Sequence, residues 1–209
     1  DHCPLHPQQA GFLALHSKEA IMTAVLDDLC MSADFNEASA LILLDLSVAF
    51  DTMDHEILIH RLQSTGITGS AIGWLSSFLQ DHTQSVRLGK FRSPHTRLTC
   101  GVPQGSSLSP LVFNVYLQPL IASLAHLDCR VFNYADETQL ILRLEGSPDS
   151  HLNARGILGF ITNWMSSNSL KLNPDKTEIV VVDPRGNPCS HPYQPSDLGA
   201  PPNPSLSAK

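Results

Sequence analysis

Cys129-Arg130-Val131-Phe132-Asn133-Tyr134-Ala135-Asp136-Glu137-Thr138-Gln139-Leu140-Ile141-Leu142-Arg143-Leu144 is the stretch that decides the fold. Residues 129–134 and 138–144 read as two strands, joined by the tight acidic turn Ala135-Asp136-Glu137. Upstream, the apolar run Ala40-Leu41-Ile42-Leu43-Leu44 leads straight into Asp45, the pattern of a buried strand with a carboxylate at its exit. Downstream, the turn Asn173-Pro174-Asp175-Lys176 precedes a last strand, Ile179-Val180-Val181-Val182.

Helices fill the intervals. Ser17 caps a segment in which Ile21, Met22, Val25, Leu26 and Leu29 follow a helical period. Asp54 caps another that carries Ile57, Leu58 and Leu62 and stops at Gly66. A third contains Ile72, Trp74, Leu75, Phe78 and Leu79. Ser109-Pro110 reads as a cap followed by a proline in the first turn, with a kink expected at Pro119. Leu152, Leu158, Ile161, Trp164 and Met165 mark a further amphipathic helix. Ser85–Leu88 and the chain from Phe91 onward form a hairpin turned by Gly89-Lys90. With that hairpin set aside as an insertion, the order is β-α-β-β-α-β, an α+β fold whose antiparallel sheet is backed by helices. Its first strand lies beside the inner hairpin, so Asp45 approaches Asp136 and Glu137. Carboxylates gathered this way repel unless cations lie between them, and oxygen ligands suit Mg²⁺.

The net charge of −7 and pI of about 5.7 run against phosphate binding, which needs Lys and Arg. Arg87, Lys90, Arg92 and Arg97 form the only basic cluster, and by itself a solvated hairpin face accounts for it. The five cysteines contain no C-x-x-C pair and are odd in number, which points to a reduced intracellular compartment. His2-Cys3-Pro4-Leu5-His6 has a metal-like composition but no partner cluster. No segment reads as a membrane span, and Leu108–Leu127 is broken by polar residues and prolines. From Asp183 onward, seven of the fifteen prolines fall in 27 residues, the composition of a loosely ordered tail. The chain begins without an initiator Met and reads as a fragment of something longer.

Three segments stand in order: Leu44-Asp45-Leu46-Ser47-Val48-Ala49-Phe50-Asp51, Gly101-Val102-Pro103-Gln104-Gly105-Ser106, and Phe132-Asn133-Tyr134-Ala135-Asp136-Glu137. Together they resemble reverse transcriptases, most closely those of LINE-type (non-LTR) retrotransposons. Thr52-Met53-Asp54-His55, Leu108-Ser109-Pro110-Leu111, Thr138-Gln139-Leu140, Leu172-Asn173 and Lys176-Thr177-Glu178 extend the likeness from about Gln9 to Val182. The resemblance implies a polymerase palm over 40–182, the end of the fingers over 1–39, and a tail over 183–209. Fingers and thumb are incomplete.

The activity implied is RNA-directed DNA polymerisation, an in-line transfer assisted by two Mg²⁺ or Mn²⁺ ions. By resemblance Asp45 and Asp136 bind metal, with the Leu46 carbonyl a further ligand, and the Val48 and Ala49 amides meet the triphosphate. Phe50 is implied to exclude a 2′-hydroxyl, although composition alone makes it a core aromatic. Gln104 and Gly105 are implied to line the nucleotide and template pocket, with a structural turn as the alternative. Lys176 is implied to serve the departing pyrophosphate, with a solvated lysine as the equal alternative. The partners implied are an RNA template, a DNA primer, dNTPs and a retrotransposon ribonucleoprotein in cytoplasm and nucleus, with no membrane. Arg87, Lys90, Arg92 and Arg97 then become nucleic-acid contacts.

Two departures bear on activity. Glu137 stands where the family usually has a second aspartate. The longer arm moves the carboxylate by about 1 Å, and misplacement on that scale costs on the order of 10²-fold in rate. Leu13-Ala14-Leu15 replace an Arg and a Pro-Gly pair after Phe12. A decayed or repurposed domain that at most binds nucleic acid is therefore the alternative to a working enzyme. A nucleotide cyclase and a plain RNA-binding split βαβ module are the remaining readings. The Pro-Gln-Gly turn and the Phe50 spacing oppose the cyclase, and the acidic turn between Tyr134 and Thr138 opposes the RNA-binding module.

Overall fold

The computed structural model describes residues 17–46, 49–127, 129–134, 137–144, 148–173 and 176–185. In chain order the elements begin with helix α1 (Lys18–Asp34), strand β1 (Ala38–Leu44), and helices α2 (Ala49–Thr52), α3 (His55–Ser64) and α4 (Gly69–Leu79). The short strands β2 (Thr83–Gln84), β3 (Arg87–Leu88), β4 (Phe91–Arg92) and β5 (Thr96–Arg97) follow. Helix α5 (Ser109–Leu124), strands β6 (Arg130–Tyr134) and β7 (Glu137–Leu144), helix α6 (Pro148–Ser167) and strand β8 (Glu178–Val182) complete the fold.

The main sheet has the order β6-β7-β1-β8 with every pair antiparallel. This is the expected split motif: the first strand is central, between the last strand and the hairpin. Leu44 pairs with Thr138 and Leu43 with Glu178. Because successive side chains alternate between faces, Ala40, Ile42 and Leu44 point to one side with Val131, Leu140 and Leu142. They meet Phe113, Tyr116, Leu117 and Leu120 of α5 and Leu158, Ile161 and Met165 of α6 in the main core. Leu41 and Ile141 point the other way, where Ile21 and Val25 of α1 cover them beside Phe132 and Tyr134. Each fully buried aliphatic of this kind contributes about 1.5–3 kcal/mol, so both faces of the sheet are held.

The helix starts follow local chemistry. Ser17 Oγ accepts from the Ala20 amide at 3.2 Å, and Asp54 Oδ1 accepts from the Glu56 and Ile57 amides at 2.9 and 3.0 Å. Gly66, at φ +92°, receives the end of α3. The start of α5 differs from the expected cap. Ser109 already lies inside the helix, Leu108 takes the cap position without a side-chain bond, and the Ser109 hydroxyl donates to the Pro103 carbonyl at 2.6 Å. The Pro-Gln-Gly loop folds back over the helix start and takes the hydroxyl that would otherwise cap it. The helix also runs on through Pro119 to Leu124.

The insertion is a longer arm than Gly89-Lys90 alone suggests. β2 pairs with β5 and β3 with β4, two short ladders in one hairpin outside the main sheet, with Gly89 at φ +59° in the turn. The metal-like residues His2 to His6 and almost all of the proline-rich tail lie outside the described residues. Among the described residues, no helix is long and apolar enough to cross a membrane.

Candidate functional site

Asp45 leaves the sheet at the end of β1, with its side chain about one-third exposed. Its Oδ2 stands 3.7 Å from Lys176 Nζ. The two are drawn together by backbone: the Asn173 amide donates to the Asp45 carbonyl at 2.9 Å, and Leu46 forms a bridge with Leu172. The Asn173 carbonyl in turn accepts from the Lys176 and Thr177 amides at 3.3 and 2.9 Å and from the Thr177 hydroxyl at 2.7 Å. Lys176 is thus presented on a closed turn beside the strand exit.

Extending the β1–β7 register by one residue beyond the Leu44–Thr138 pair sets Asp45 across from Glu137. The Glu137 carboxylate, however, meets Lys18 of α1, whose Nζ lies 2.8 Å from Oε1 and 2.7 Å from Oε2. Both side chains are about half exposed, so the pair itself adds little stability. It does set the direction of the Glu137 side chain, toward α1. Asp136, the other carboxylate of the turn, lies outside the described residues, as does Val48. Among the described residues there is no cluster of three or more His, Cys, Asp or Glu side chains.

A cleft of about 820 Å³ opens next to Asp45, walled by Leu46, Ala49 and Phe50 on one side and by Gln104, Gly105, Ser106 and Ser107 on the other. Four residues expected around a nucleotide, Ala49, Phe50, Gln104 and Gly105, thus share one concave surface. Phe50 is also a packing residue: its ring lies 4.8 Å from that of Phe113 in the core, tilted by 33°. Phe50 thus both packs against the core and lines the cleft.

The walls are joined by residues to which the sequence assigned no role. The Gln104 side-chain amide donates to Asp51 Oδ1 at 3.1 Å. The Gly101 amide donates to the Met53 carbonyl and the Val102 amide to the Phe50 carbonyl, each at 2.8 Å. Gly101 adopts φ +83°, and a Cβ there would lie 2.7 Å from the Asp51 carbonyl oxygen. His55 Nε2 lies 2.6 Å from the Gly101 carbonyl oxygen, which can only accept, so Nε2 carries the proton and donates. Asp51 and His55 belong to the motif around Asp45, but their partners lie some fifty residues away and nothing local announces them.

Among the helices, Arg61 lies over the rings of Tyr116 and Trp164, 4.4 and 5.1 Å from their centroids, and donates to the Tyr116 carbonyl and to Asn168 Oδ1. The Tyr116 hydroxyl donates to the Asn168 carbonyl at 2.7 Å and accepts from the Asp54 amide at 3.3 Å. Burial raises the Tyr116 phenol above its usual range and lowers the Arg61 guanidinium. This cluster ties α3, α5 and the end of α6 together.

The basic residues are carried by the hairpin arm. Arg87 and Arg92 are a cross-strand pair, Lys90 Nζ lies 5.7 Å from the Phe91 ring, and Arg97 pairs with Asp81 at 3.0 Å.

The sequence matches the family described as "Reverse transcriptase (RNA-dependent DNA polymerase)" over residues 1–199. A Pol polyprotein of the type-1 retrotransposable element R2 of Popillia japonica is 28% identical, with 88% of this chain and 27% of the relative covered. A probable RNA-directed DNA polymerase from transposon BS of Drosophila melanogaster is 30% identical, with 83% and 20% covered. This chain therefore spans only about a quarter or less of these relatives' length. Among solved structures, telomerase from Candida tropicalis in complex with a fragment of telomeric RNA superposes with a TM-score of 0.63 at 14% identity, covering 79% of this chain and 29% of that one. The apo form truncated of its C-terminal domain gives 0.62 at 15%, covering 81% and 36%. At these identities the structural likeness speaks to fold alone.

Proposed function

Because this chain belongs to the reverse transcriptase family, we propose that residues 40–182 form the palm of an RNA-directed DNA polymerase, preceded by the end of the fingers over 1–39 and followed by a tail over 183–209. The observation that carries the reading is the cleft: it begins one residue after Asp45 and is walled by Ala49, Phe50, Gln104 and Gly105. The substrates are an RNA template, a DNA primer and dNTPs, within a retrotransposon ribonucleoprotein active between cytoplasm and nucleus.

The donor set suits a hard divalent cation, since the carboxylates of Asp45 and Asp136 and the Leu46 carbonyl are all oxygen. In this reading they hold Mg²⁺ or Mn²⁺, two ions in all, which when bound would polarise the phosphoryl group and the primer hydroxyl. The amides of Val48 and Ala49 receive the triphosphate. Phe50 leaves no room beside the sugar for a 2′-hydroxyl, and Gln104, oriented by Asp51, together with Gly105 shapes the base pocket. Lys176 holds the departing pyrophosphate and supplies its proton. Glu137 adds negative charge at the turn, and its ion pair with Lys18 supports a role behind the metal ligands.

The same ion pair favours a second reading, a domain that binds nucleic acid without polymerising. Primer extension on poly(rA)/oligo(dT) with Mg²⁺ or Mn²⁺ separates the two, with this chain placed within the full-length reverse transcriptase of a relative. Extension that Asp45→Asn abolishes establishes the polymerase. Extension by Glu137→Asp alone makes Glu137 an inactivating change. Silence from both favours the binding domain.

A further inference from the structure

On the main-core face of β6 and β7, Val131, Leu140, Leu142 and Leu144 are aliphatic, and only the pair nearest the turn departs from that pattern. Asn133 and Thr138 lie directly opposite each other, next to the Val131–Leu140 pair, and are as deeply buried, at 0% and 1% exposure. An apolar pair would suit this place in the core, whereas a buried amide and hydroxyl lose their hydration and must find partners. They bond each other: Asn133 Nδ2 donates to Thr138 Oγ1 at 2.9 Å and lies 3.4 Å from the Glu137 carbonyl oxygen. That carbonyl can only accept, so it is the amide nitrogen of Asn133 that faces it. Tyr134 pairs with Glu137, which leaves only Ala135 and Asp136 to connect the strands. A connection that short takes its geometry from the pairs that close it. On its other side Thr138 pairs with Leu44, one residue before Asp45. The row Asn133–Thr138–Leu44 therefore crosses three strands next to both carboxylates proposed to hold the cations. A polar pair where the pattern asks for an apolar one is the kind of local departure that a functional constraint imposes.

We infer that Asn133 and Thr138 are positioning residues for the cation site, a buried clamp whose bond, reaching the Glu137 carbonyl, fixes the acidic turn against the exit of β1. Neither side chain is a ligand; both act through the backbone of the turn. A network of this kind rigidifies what it joins when its members are bonded to one another. The inference rests on the reading of Asp45 and Asp136 as metal ligands and deepens it, by naming what holds the second of them in place.

The test is Mn²⁺ titration of the whole chain, followed by electron paramagnetic resonance of the free ion, beside urea unfolding without metal. Asn133→Leu/Thr138→Val replaces both polar partners by apolar side chains of similar volume, in the manner of the neighbouring Val131–Leu140 pair. Replacing both partners of a buried bond leaves no orphaned group, so a merely structural role leaves the urea midpoint and the Mn²⁺ affinity where they were. The inference predicts an unlowered midpoint with Mn²⁺ bound on the order of 10-fold more weakly, the scale on which groups behind metal ligands act. Thr138→Ser keeps the hydroxyl and should bind Mn²⁺ as the native chain does. Thr138→Val by itself carries the test if the double variant fails to fold, and should bind more weakly than Thr138→Ser. Native affinity in whichever of the two apolar variants folds overturns the inference. So does a loss no larger than the fall in folded fraction, or an equal loss in Thr138→Ser. Asp45→Asn separates the two levels. If it binds Mn²⁺ as the native chain does, the cation-site reading fails and the inference with it. A loss on Asp45→Asn with none on the apolar variants fails the inference alone.

Discussion

Gly101 is the residue on which the two walls of the cleft close. At φ +83°, with a hypothetical Cβ 2.7 Å from the Asp51 carbonyl oxygen, it has neither the conformation nor the space for a side chain. Gly101→Ala should lower the stability of the chain by about 1–3 kcal/mol, read as a shift in the urea midpoint at unchanged slope. An unshifted midpoint would mean that the loop moves freely relative to the strand exit. Asp45, Phe50, Gln104 and Gly105 could be singled out as candidates at this scale because each belongs to a short motif. The roles of Asp51 and Lys18 could not be read there. Their partners, Gln104 and Glu137, are 53 and 119 residues away, and only the closed fold brings them into contact.

At the scale of elements, the cluster of Arg61, Tyr116 and Asn168 joins three helices that the hydrophobic pattern treats separately. The Tyr116 phenol is fully buried and raised above its ordinary pKa. Above the usual tyrosine range, near pH 10, the unfolded chain therefore loses a proton that the folded chain retains. Stability from this group is complete below that pH and is lost as the pH climbs through the raised folded value. Tyr116→Phe should remove this alkaline loss and cost about 1–2 kcal/mol at neutral pH through the broken bonds to Asn168 and Asp54. Urea titrations at pH 7 and at pH 11 check both. A native alkaline limb that persists in the variant would place its cause elsewhere. The four strands of the main sheet were readable from apolar runs and turns, to within two residues. The start of α5 was not, because Ser-Pro looks the same whether the serine caps its helix or bonds a returning loop, as Ser109 does to Pro103.

At the scale of the whole molecule, the β6-β7-β1-β8 order turns separation in sequence into neighbourhood. That order followed from the succession of elements, which is why the exit of β1 could be set beside the end of the hairpin. The hairpin arm could not be placed in the same way. Its ladders pair only within the arm, and no hydrophobic face ties it to the sheet. The chain therefore divides into a packed palm, where chemistry is proposed, and a cationic arm outside its sheet.

Polymerase activity at this cleft requires Asp45 and Asp136, 91 positions apart, to form one cation site. Titration of Mn²⁺ into the whole chain, followed by electron paramagnetic resonance of the free ion, tests it without recourse to catalysis. Saturable binding is expected, weakened by at least an order of magnitude by either Asp45→Asn or Asp136→Asn, with folding unchanged by circular dichroism. Equal Mn²⁺ uptake by the native chain and both variants would contradict it.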